Sequence, residues 1–274
     1  MFMARPSVKV KYFTGPGAFD VCPGAKNFLK NFQKGIDKSV NWCYNDYTET
    51  RKEMTPMMNI FETKYLVLDT ETTNSIDDPL CYDIGFAVVD GFGNVYETHS
   101  YVVADVFLDS ELMASAFFAD KIPQYWADIK SGKRILRRYK TIRYILADVI
   151  RQHDIKIICA HNARFDYLST ALTQRFLTSS KYRYFLPYGM EIWDTLKMAR
   201  EVFADDESYK TFCVSNGFVT KNGQNRYTAE IIYRYLTANL DFVEEHTGLE
   251  DVLIEKDILA YCLANGVENG ALWG

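Results

Sequence analysis

The sequence lacks paired cysteines: its six cysteines are scattered singly, and no Cys-x-x-Cys pair occurs. This spacing excludes a zinc knuckle and a recognisable disulfide framework. The start of the chain lacks the apolar run of a signal peptide, and no uncharged apolar stretch reaches the roughly 18 residues that a membrane span needs. We therefore expect a soluble protein of a reducing cytoplasm.

The sequence also lacks an excess of positive charge, because 31 Lys and Arg face 36 Asp and Glu and give a formal net charge of −5. This balance excludes a generally basic nucleic-acid coat protein. A phosphate-bearing partner would have to meet a local basic patch or bound cations. With 274 residues, of which 48% are hydrophobic, the chain is long enough to bury a full core.

The first 62 residues differ from the rest in charge, with nine Lys and Arg against six Asp and Glu. They contain turn signals and one predicted short helix near Ala25–Ile36, but no strand alternation. We interpret residues 1–62 as an N-terminal extension of unknown role and residues 63–274 as the folded domain.

Three apolar runs follow the extension, at Tyr65–Asp69, Asp83–Asp90 and Val95–Val103. They are joined so tightly that an antiparallel meander is expected. Two further strands are predicted at Lys156–Ala160 and Met190–Asp194, each followed by a helix. This order predicts an α/β domain with a mixed sheet flanked by helices, which is the order of the ribonuclease H-like fold.

Helical spacing predicts the remaining elements. One apolar stripe repeats at helical intervals, and three more segments have the length and end signals of helices. The stripe comprises Ile135, Tyr139, Ile142, Leu146 and Val149, and the segments are 166–177, 228–240 and 248–263.

The first candidate for chemistry is Asp69-Thr70-Glu71, at the end of the first strand. Residues two apart on a strand point to the same face, so Asp69 and Glu71 project together from a sheet edge where α/β folds place ligands. A hard cation such as Mg²⁺ would relieve their repulsion. The alternative is a solvated strand end with two ordinary surface acids.

Two further clusters lie at helix starts. His161-Asn162-Ala163-Arg164-Phe165-Asp166 follows a buried strand, and His246 precedes Asp251 by five residues. Asp166 could cap its helix, and a lone histidine is usually structural. A histidine beside a metal site can instead take a proton from water.

These motifs resemble those of the DnaQ-like exonuclease superfamily. Leu66–Thr73 is similar to its first motif, His161–Asp166 to its second, and His246 with Leu249-Glu250-Asp251 to its third, in the DEDDh subclass whose last motif carries a histidine. Ile192–Leu196 resembles a segment common between the second and third motifs. The resemblance covers about residues 64–265 and is closest to bacteriophage-encoded members.

The resemblance implies a 3′→5′ exonuclease that releases nucleoside 5′-monophosphates from single-stranded or frayed DNA. Asp69, Glu71, Asp166 and Asp251 would hold two Mg²⁺ ions, with Mn²⁺ as a substitute, and His246 would be the general base. The chain has no polymerase motifs, so proofreading in DNA replication would need a separate DNA polymerase. A phage-encoded protein would act in the host cytoplasm.

Substrate contacts are predicted from adjacency and charge. Thr72 and Asn162 lie beside the catalytic acids. Seven Lys and Arg occur among the fourteen residues 130–143, and Arg134, Arg137 and Arg138 are expected on an exposed helix face. That face could contact phosphates or could simply be solvated. Five aromatic residues could either stack on bases or pack in the core: Tyr182, Tyr184, Phe185, Tyr188 and Trp193.

Two other functions compete with a DNA exonuclease. One is a metal-dependent hydrolase of the same fold that acts on small nucleotides or, as an exoribonuclease, on RNA, because no residue in the sequence separates DNA from RNA. The other is a module that binds nucleic acid or a polymerase without cleavage. The presence of all five catalytic positions argues against the second alternative.

Overall fold

The structure is a computed structural model that describes residues 60–73, 78–181 and 183–273. The predicted helix at Ala25–Ile36 and the stacking role of Tyr182 lie outside these residues. Of the predicted N-terminal extension, Ile60–Glu62 are described and form a helical turn. Phe61 of this turn stacks on Phe92 with ring centroids 4.9 Å apart, so the turn packs against the folded domain.

The described residues form a six-stranded sheet with the strand order β4-β3-β2-β1-β5-β6. The first three strands form an antiparallel meander, whereas β5 and β6 run parallel to β1, and β4 runs parallel to β3. This mixed sheet confirms the predicted ribonuclease H-like fold. The strands are β1 Lys64–Thr73, β2 Leu80–Asp90, β3 Val95–Val103, β4 Ile135–Arg137, β5 Ile157–Ala160 and β6 Glu191–Asp194.

Helices cover both faces of the sheet and supply most of the connections. A 3₁₀ turn at Ala119–Lys121 precedes the third helix. The α-helices are α1 Ala104–Phe107, α2 Ser110–Met113, α3 Ile122–Ser131, α4 Tyr139–Gln152, α5 Ala163–Leu177, α6 Thr195–Val202, α7 Glu207–Ser215, α8 Ala229–Thr237 and α9 Gly248–Ala264.

The central strand β1 separates two hydrophobic cores. Leu66 and Leu68 point into the core under α4 and α5, whereas Tyr65 and Val67 point into the core under α6 to α9. This alternation follows from the two-residue period of a strand. Because both faces are buried, the strand reads as a continuous apolar run rather than as an alternating one.

The predicted apolar stripe is wrong at its first residue. Ile135 lies in the edge strand β4, is 42% exposed, and pairs with Tyr101 of β3. Pairing with the sheet edge therefore overrides the helical spacing, and α4 begins only at Tyr139. The other stripe residues, Tyr139, Ile142, Leu146 and Val149, are buried on α4 as predicted.

The cysteines Cys81, Cys159, Cys213 and Cys262 are buried and free of disulfide bonds. Within the described ranges, no helix combines the length and the apolar character that crossing a membrane requires.

Candidate active site

A cavity of about 1400 Å³ opens where β1 and β5 end at the carboxyl edge of the sheet. Its lining includes all five residues with predicted catalytic roles, which come from three separate segments of the chain: Asp69, Glu71, Asp166, His246 and Asp251. Thr72 and Asn162, which were predicted to contact substrate, also line it. The structure thus brings together the three motifs that are far apart in sequence.

Strand β1 delivers the first two carboxylates. Asp69 and Glu71 share the strand face that is covered by α9, because Tyr65 and Val67 of the same face pack into that core. The pairing of β1 with β2 shifts register between Glu71 and Thr72. Such irregularities re-aim side chains and are common beside functional sites.

Helix α5 delivers Asp166. Asn162 adopts a left-handed conformation (φ 69°) at the N-cap position, and its backbone amide donates to Asp194 Oδ1 at 2.9 Å. Asp166 therefore lies in the first turn of the helix and not at the cap, where the alternative interpretation put it. Its buried carboxylate accepts a hydrogen bond from Thr70 Oγ1 at 2.9 Å, which ties α5 to β1.

Helix α9 delivers Asp251 through direct contact between two backbones. A Cβ atom added at Gly85 would lie 2.1 Å from the carbonyl carbon of Gly248, so a side chain has no room at this crossing. The Gly248 amide donates to Asp83 Oδ2 at 3.0 Å, and the Thr247 amide donates to Asp251 Oδ2 at 3.1 Å. These contacts fix the first turn of α9 against β2.

His246 immediately precedes this helix cap, in a left-handed conformation with φ 51°. Its ring stacks on Phe118, with centroids 4.2 Å apart and an interplanar angle of 10°. Ligand atoms of Glu71, His246 and Asp251 all lie within 4.8 Å of one another. Burial lowers the pKa of His246, which keeps the imidazole neutral and able to accept a proton.

The four motif carboxylates are buried together, and none of them forms an ion pair with a Lys or Arg of the described part of the chain. Burial raises the pKa of Asp166 to about 7 and that of Asp251 to about 8, and neighbouring acids add to the shift. The pKa of Asp69 and the pKa of Glu71 are also raised well above their usual range, first by burial and then by neighbouring carboxylates. Asp69 Oδ2 and Asp251 Oδ1 are buried without a hydrogen-bond partner among the described residues.

Sequence reasoning missed two further acids that line the cavity. Glu255 lies one helical turn after Asp251, is 3% exposed, and has a buried Oε2 atom with no partner in the described ranges. Glu244 precedes His246 by two residues, and burial raises its pKa to about 7. The spacing of four residues from Asp251 was the available signal for Glu255, because it places both side chains on one face of α9.

The prediction that Arg134 lies on an exposed basic face is wrong. Arg134 is 3% exposed and donates to Asp128 Oδ2 at 3.0 Å, Asp83 Oδ2 at 3.3 Å and Glu250 Oε2 at 2.7 Å. Because it links α3, β2 and α9, Arg134 anchors the helix that carries Asp251. A guanidinium that three carboxylates already pair is not available to a phosphate.

The other two predicted basic contacts lie away from the cavity. Arg137 belongs to β4 and Arg138 is the N-cap of α4; both are exposed, and neither lines the site. Three cations that were not predicted do line it, namely Arg200, Lys210 and Arg226. They come from the chain between the second and third motifs.

Two segments outside the three motifs build much of the walls of the cavity. The first, Phe107–Lys140, supplies Phe117 and Phe118, and Phe117 is 72% exposed. The second, Phe212–Asp241, supplies the stretch from Asn225 to Ala229. The acids therefore come from the motifs, whereas much of the surrounding surface comes from these two segments.

No family model matches the chain, and no curated protein matches it. Among solved structures, the chain is similar to exonuclease X in complex with 5′ overhanging duplex DNA, at 16% identity and a TM-score of 0.43, over 75% of this chain and 95% of that one. It is also similar to the zinc-bound form of the Escherichia coli exonuclease I–single-stranded DNA complex, at 13% identity and a TM-score of 0.45, over 72% of this chain and 39% of that one. The chain thus spans about two fifths of the length of exonuclease I.

Proposed function

We propose that this chain is a metal-dependent 3′→5′ exonuclease of the DnaQ-like, DEDDh type, which hydrolyses the terminal phosphodiester bond of single-stranded or frayed DNA and releases nucleoside 5′-monophosphates. One observation carries the proposal. Four carboxylates from three motifs converge on an open cavity beside a neutral histidine, with buried oxygens that no described residue pairs.

The residues fit divalent cations. Asp69 Oδ2 and Asp251 Oδ1 are buried oxygens without partners among the described residues, and carboxylate oxygens are the ligands that Mg²⁺ prefers. Two divalent cations would offset the charge of the four motif carboxylates and leave the site able to accept a phosphodiester anion. Asp69, Glu71, Asp166 and Asp251 would hold two Mg²⁺ ions, and Mn²⁺ would substitute.

When bound, the cations supply Lewis-acid chemistry that lowers the pKa of water and stabilises developing negative charge. His246 accepts the proton of the attacking water at a ring nitrogen, which its lowered pKa keeps unprotonated at neutral pH. The stack on Phe118 holds the plane of the imidazole. Glu244 Oε2 lies 3.9 Å from Nδ1 and stabilises the imidazolium that forms.

The terminal nucleotide would bind between the acids and the cavity walls. Phe117 offers an exposed ring on which a base can stack, and Lys210 and Arg226 offer positive charge to the phosphate backbone. Thr72 and Asn162 line the same space and would touch the terminal sugar or base. The resemblance to phage-encoded members adds a role beside a separate DNA polymerase, as a proofreading activity in the host cytoplasm.

The decisive experiment is a time course on 5′-end-labelled single-stranded DNA and a matched RNA, in Mg²⁺ and in EDTA. Wild-type protein should give a descending ladder from the 3′ end of DNA. Asp69→Asn and His246→Ala should lose it, by on the order of 10³-fold or more for the metal ligand. Asp257→Asn is the matched control, because Asp257 is a half-buried acid on α9 that does not line the cavity.

Each alternative has its own result. A ladder on RNA but not on DNA would establish an exoribonuclease. Binding of labelled DNA by well-folded protein, without cleavage of either substrate in Mg²⁺ or Mn²⁺, would establish a non-cleaving module and refute the proposal.

A further inference from the structure

A second cleft, of about 830 Å³, lies between the first turns of α4 and α5 and the loop that precedes β6. Its described lining differs from that of the catalytic cavity in having no acids. Arg143, Lys181 and Arg183 line it, and none of the described residues that line it is acidic. From Tyr167 to Met190 the sequence contains no Asp or Glu, although the chain as a whole is net negative.

Aromatic rings line the same cleft and are unusually exposed. Tyr188 is fully exposed, Trp273 is 58% exposed and Tyr184 is 50% exposed. Tyr167 stands between two of them, with its ring 4.8 Å from that of Trp273 and 6.0 Å from that of Tyr184. Large rings left in contact with water beside positive charges are the surface on which single-stranded nucleic acid stacks its bases.

The two clefts meet on helix α5. Phe165 and Asp166 line the catalytic cavity, and the next residue, Tyr167, lines the second cleft. Arg175, whose guanidinium lies 5.8 Å from the Tyr184 ring, is eight residues further along the helix, or about 12 Å at 1.5 Å per residue. The row of rings and cations therefore runs away from the catalytic acids over a length of a few nucleotides.

We propose that the second cleft binds the single strand of substrate a few nucleotides upstream of its 3′ end, with phosphates on Lys181 and Arg183 and bases on Tyr184 and Tyr188. The inference rests on the proposed nuclease function and adds a substrate subsite to it. The extension 1–62 is a poor occupant, because it is net positive and would face like charge.

The first arm of the test measures binding without cleavage. The full chain in EDTA is titrated against 5′-fluorescein oligothymidylates of 3 to 20 nucleotides, and the anisotropy is recorded. Wild-type affinity should rise with length until both clefts are filled. Tyr184→Ala/Tyr188→Ala and Lys181→Glu/Arg183→Glu should lose on the order of 10-fold affinity for long oligomers and none for the trimer.

The matched controls change the same residue types elsewhere. Tyr96 is 54% exposed and belongs to β3, and the exposed Lys156 lies just before β5. Tyr96→Ala and Lys156→Glu should bind every length as wild type does. Equal length dependence in wild type and both cleft variants would overturn the inference, whether or not the protein cleaves DNA.

The second arm locates the strand directly. A photoreactive 4-thiothymidine is placed three to six nucleotides from the 3′ end and cross-linked to the full chain. Cross-linked peptides should contain residues 183–190 or Trp273. Cross-links confined to residues outside the second cleft would overturn the inference. A trimer that is degraded at the wild-type rate by both cleft variants would keep the catalytic proposal intact in that event.

Discussion

Two groups of buried charge lie side by side at the same edge of the sheet, and they are built in opposite ways. Asp83 is directly opposite Glu71 in the β1–β2 ladder, so the two side chains share one face. Asp83 accepts hydrogen bonds at Oδ2 from Tyr125, Arg134 and the Gly248 amide, whereas its Oδ1 has no partner among the described residues. Glu71 belongs to the cluster with Asp69 and Asp251, which receives no cation from the described residues.

The difference shows which acids are structural. A buried carboxylate that is paired and hydrogen-bonded stabilises the fold or at least breaks even, whereas an unpaired one is costly and calls for an external cation. The guanidinium of Arg134 pairs the carboxylates around it, and this network anchors α9. The carboxylates of the neighbouring cluster have no such partner among the described residues, so their negative charge can bind a cation. The contrast predicts opposite responses to mutation, metal and pH.

The largest effect should follow from removal of the cation in the paired group. Arg134→Met should lower the free energy of unfolding by about 3–5 kcal/mol, because the buried carboxylates of Asp83 and Asp128 would lose the guanidinium that pairs them. Chemical denaturation measures the change. The control Lys133→Met removes a cation that is 55% exposed and should cost less than about 1 kcal/mol. Equal effects of the two substitutions would mean that burial does not distinguish the two cations.

Added Mg²⁺ should stabilise the protein through the cluster of Asp69, Glu71 and Asp251, and not through the Arg134 network. Addition of Mg²⁺ to EDTA-treated protein at about 100 times its dissociation constant should stabilise the fold by roughly 2.7 kcal/mol. This corresponds to a rise in Tm of roughly 5–10 °C for a domain of this size. Asp69→Asn should lose most of the rise, and Arg134→Met should retain it. An unchanged rise in Asp69→Asn would place the cation elsewhere.

The pH dependence should have opposite signs for Asp251 of the unpaired cluster and Glu250 of the Arg134 network. Burial raises the pKa of Asp251 to about 8, so the folded protein binds more protons than the unfolded chain, and stability should fall as pH rises from about 4 to 8. Burial alone would raise the pKa of Glu250, but hydrogen bonds from Lys133 and Thr247 and the charge of Arg134 lower it to about 2. Its contribution is present above pH 4 and is lost as pH falls towards 2.

Thermal unfolding in EDTA measures this dependence. Tm should decline between pH 5 and pH 8, and Asp251→Asn should flatten the decline, as should saturating Mg²⁺. A Tm that rises over this interval in metal-free protein would contradict the assignment of Asp251 to an unpaired cluster.

The smallest effect concerns Glu255, the acid beside the cluster whose buried Oε2 has no partner in the part of the chain that the structure describes. Glu255→Gln removes a charge with little change of shape, so metal-free protein should gain stability, on the order of 1 kcal/mol. Mg²⁺ affinity should fall several-fold, because the site becomes less negative. Calorimetric titration measures the Mg²⁺ affinity. The Mg²⁺ affinity of the control Asp257→Asn should match that of wild type. Loss of stability in Glu255→Gln would instead assign Glu255 a structural role.

The parts of the molecule that sequence reasoning predicted are those encoded by local patterns. The strands around Asp69 and the helix that carries Asp251 follow from apolar runs, end signals and motif order. The burial of Arg134 could not be predicted in the same way, because it depends on Asp83, Asp128 and Glu250 arriving from three elements. The stacking of Phe118 on His246 likewise joins residues 128 positions apart. Such pairings exist only in the folded chain.

Ile135 shows that helical spacing alone can predict the wrong element. Its spacing fits a helix, but the edge of β3 offered backbone partners that the spacing did not reveal. Short edge strands of this kind are decided by the neighbouring strand and not by their own residues.

The contact of Gly85 with Gly248 sets how closely α9 approaches the sheet. Because this contact joins two main chains, the height of Asp251 above β2, three residues beyond the contact, is set by backbone atoms and not by the rotamer of a side chain at the crossing. The same arrangement excludes any larger residue at either position, since even a methyl group would lift the helix away from the sheet.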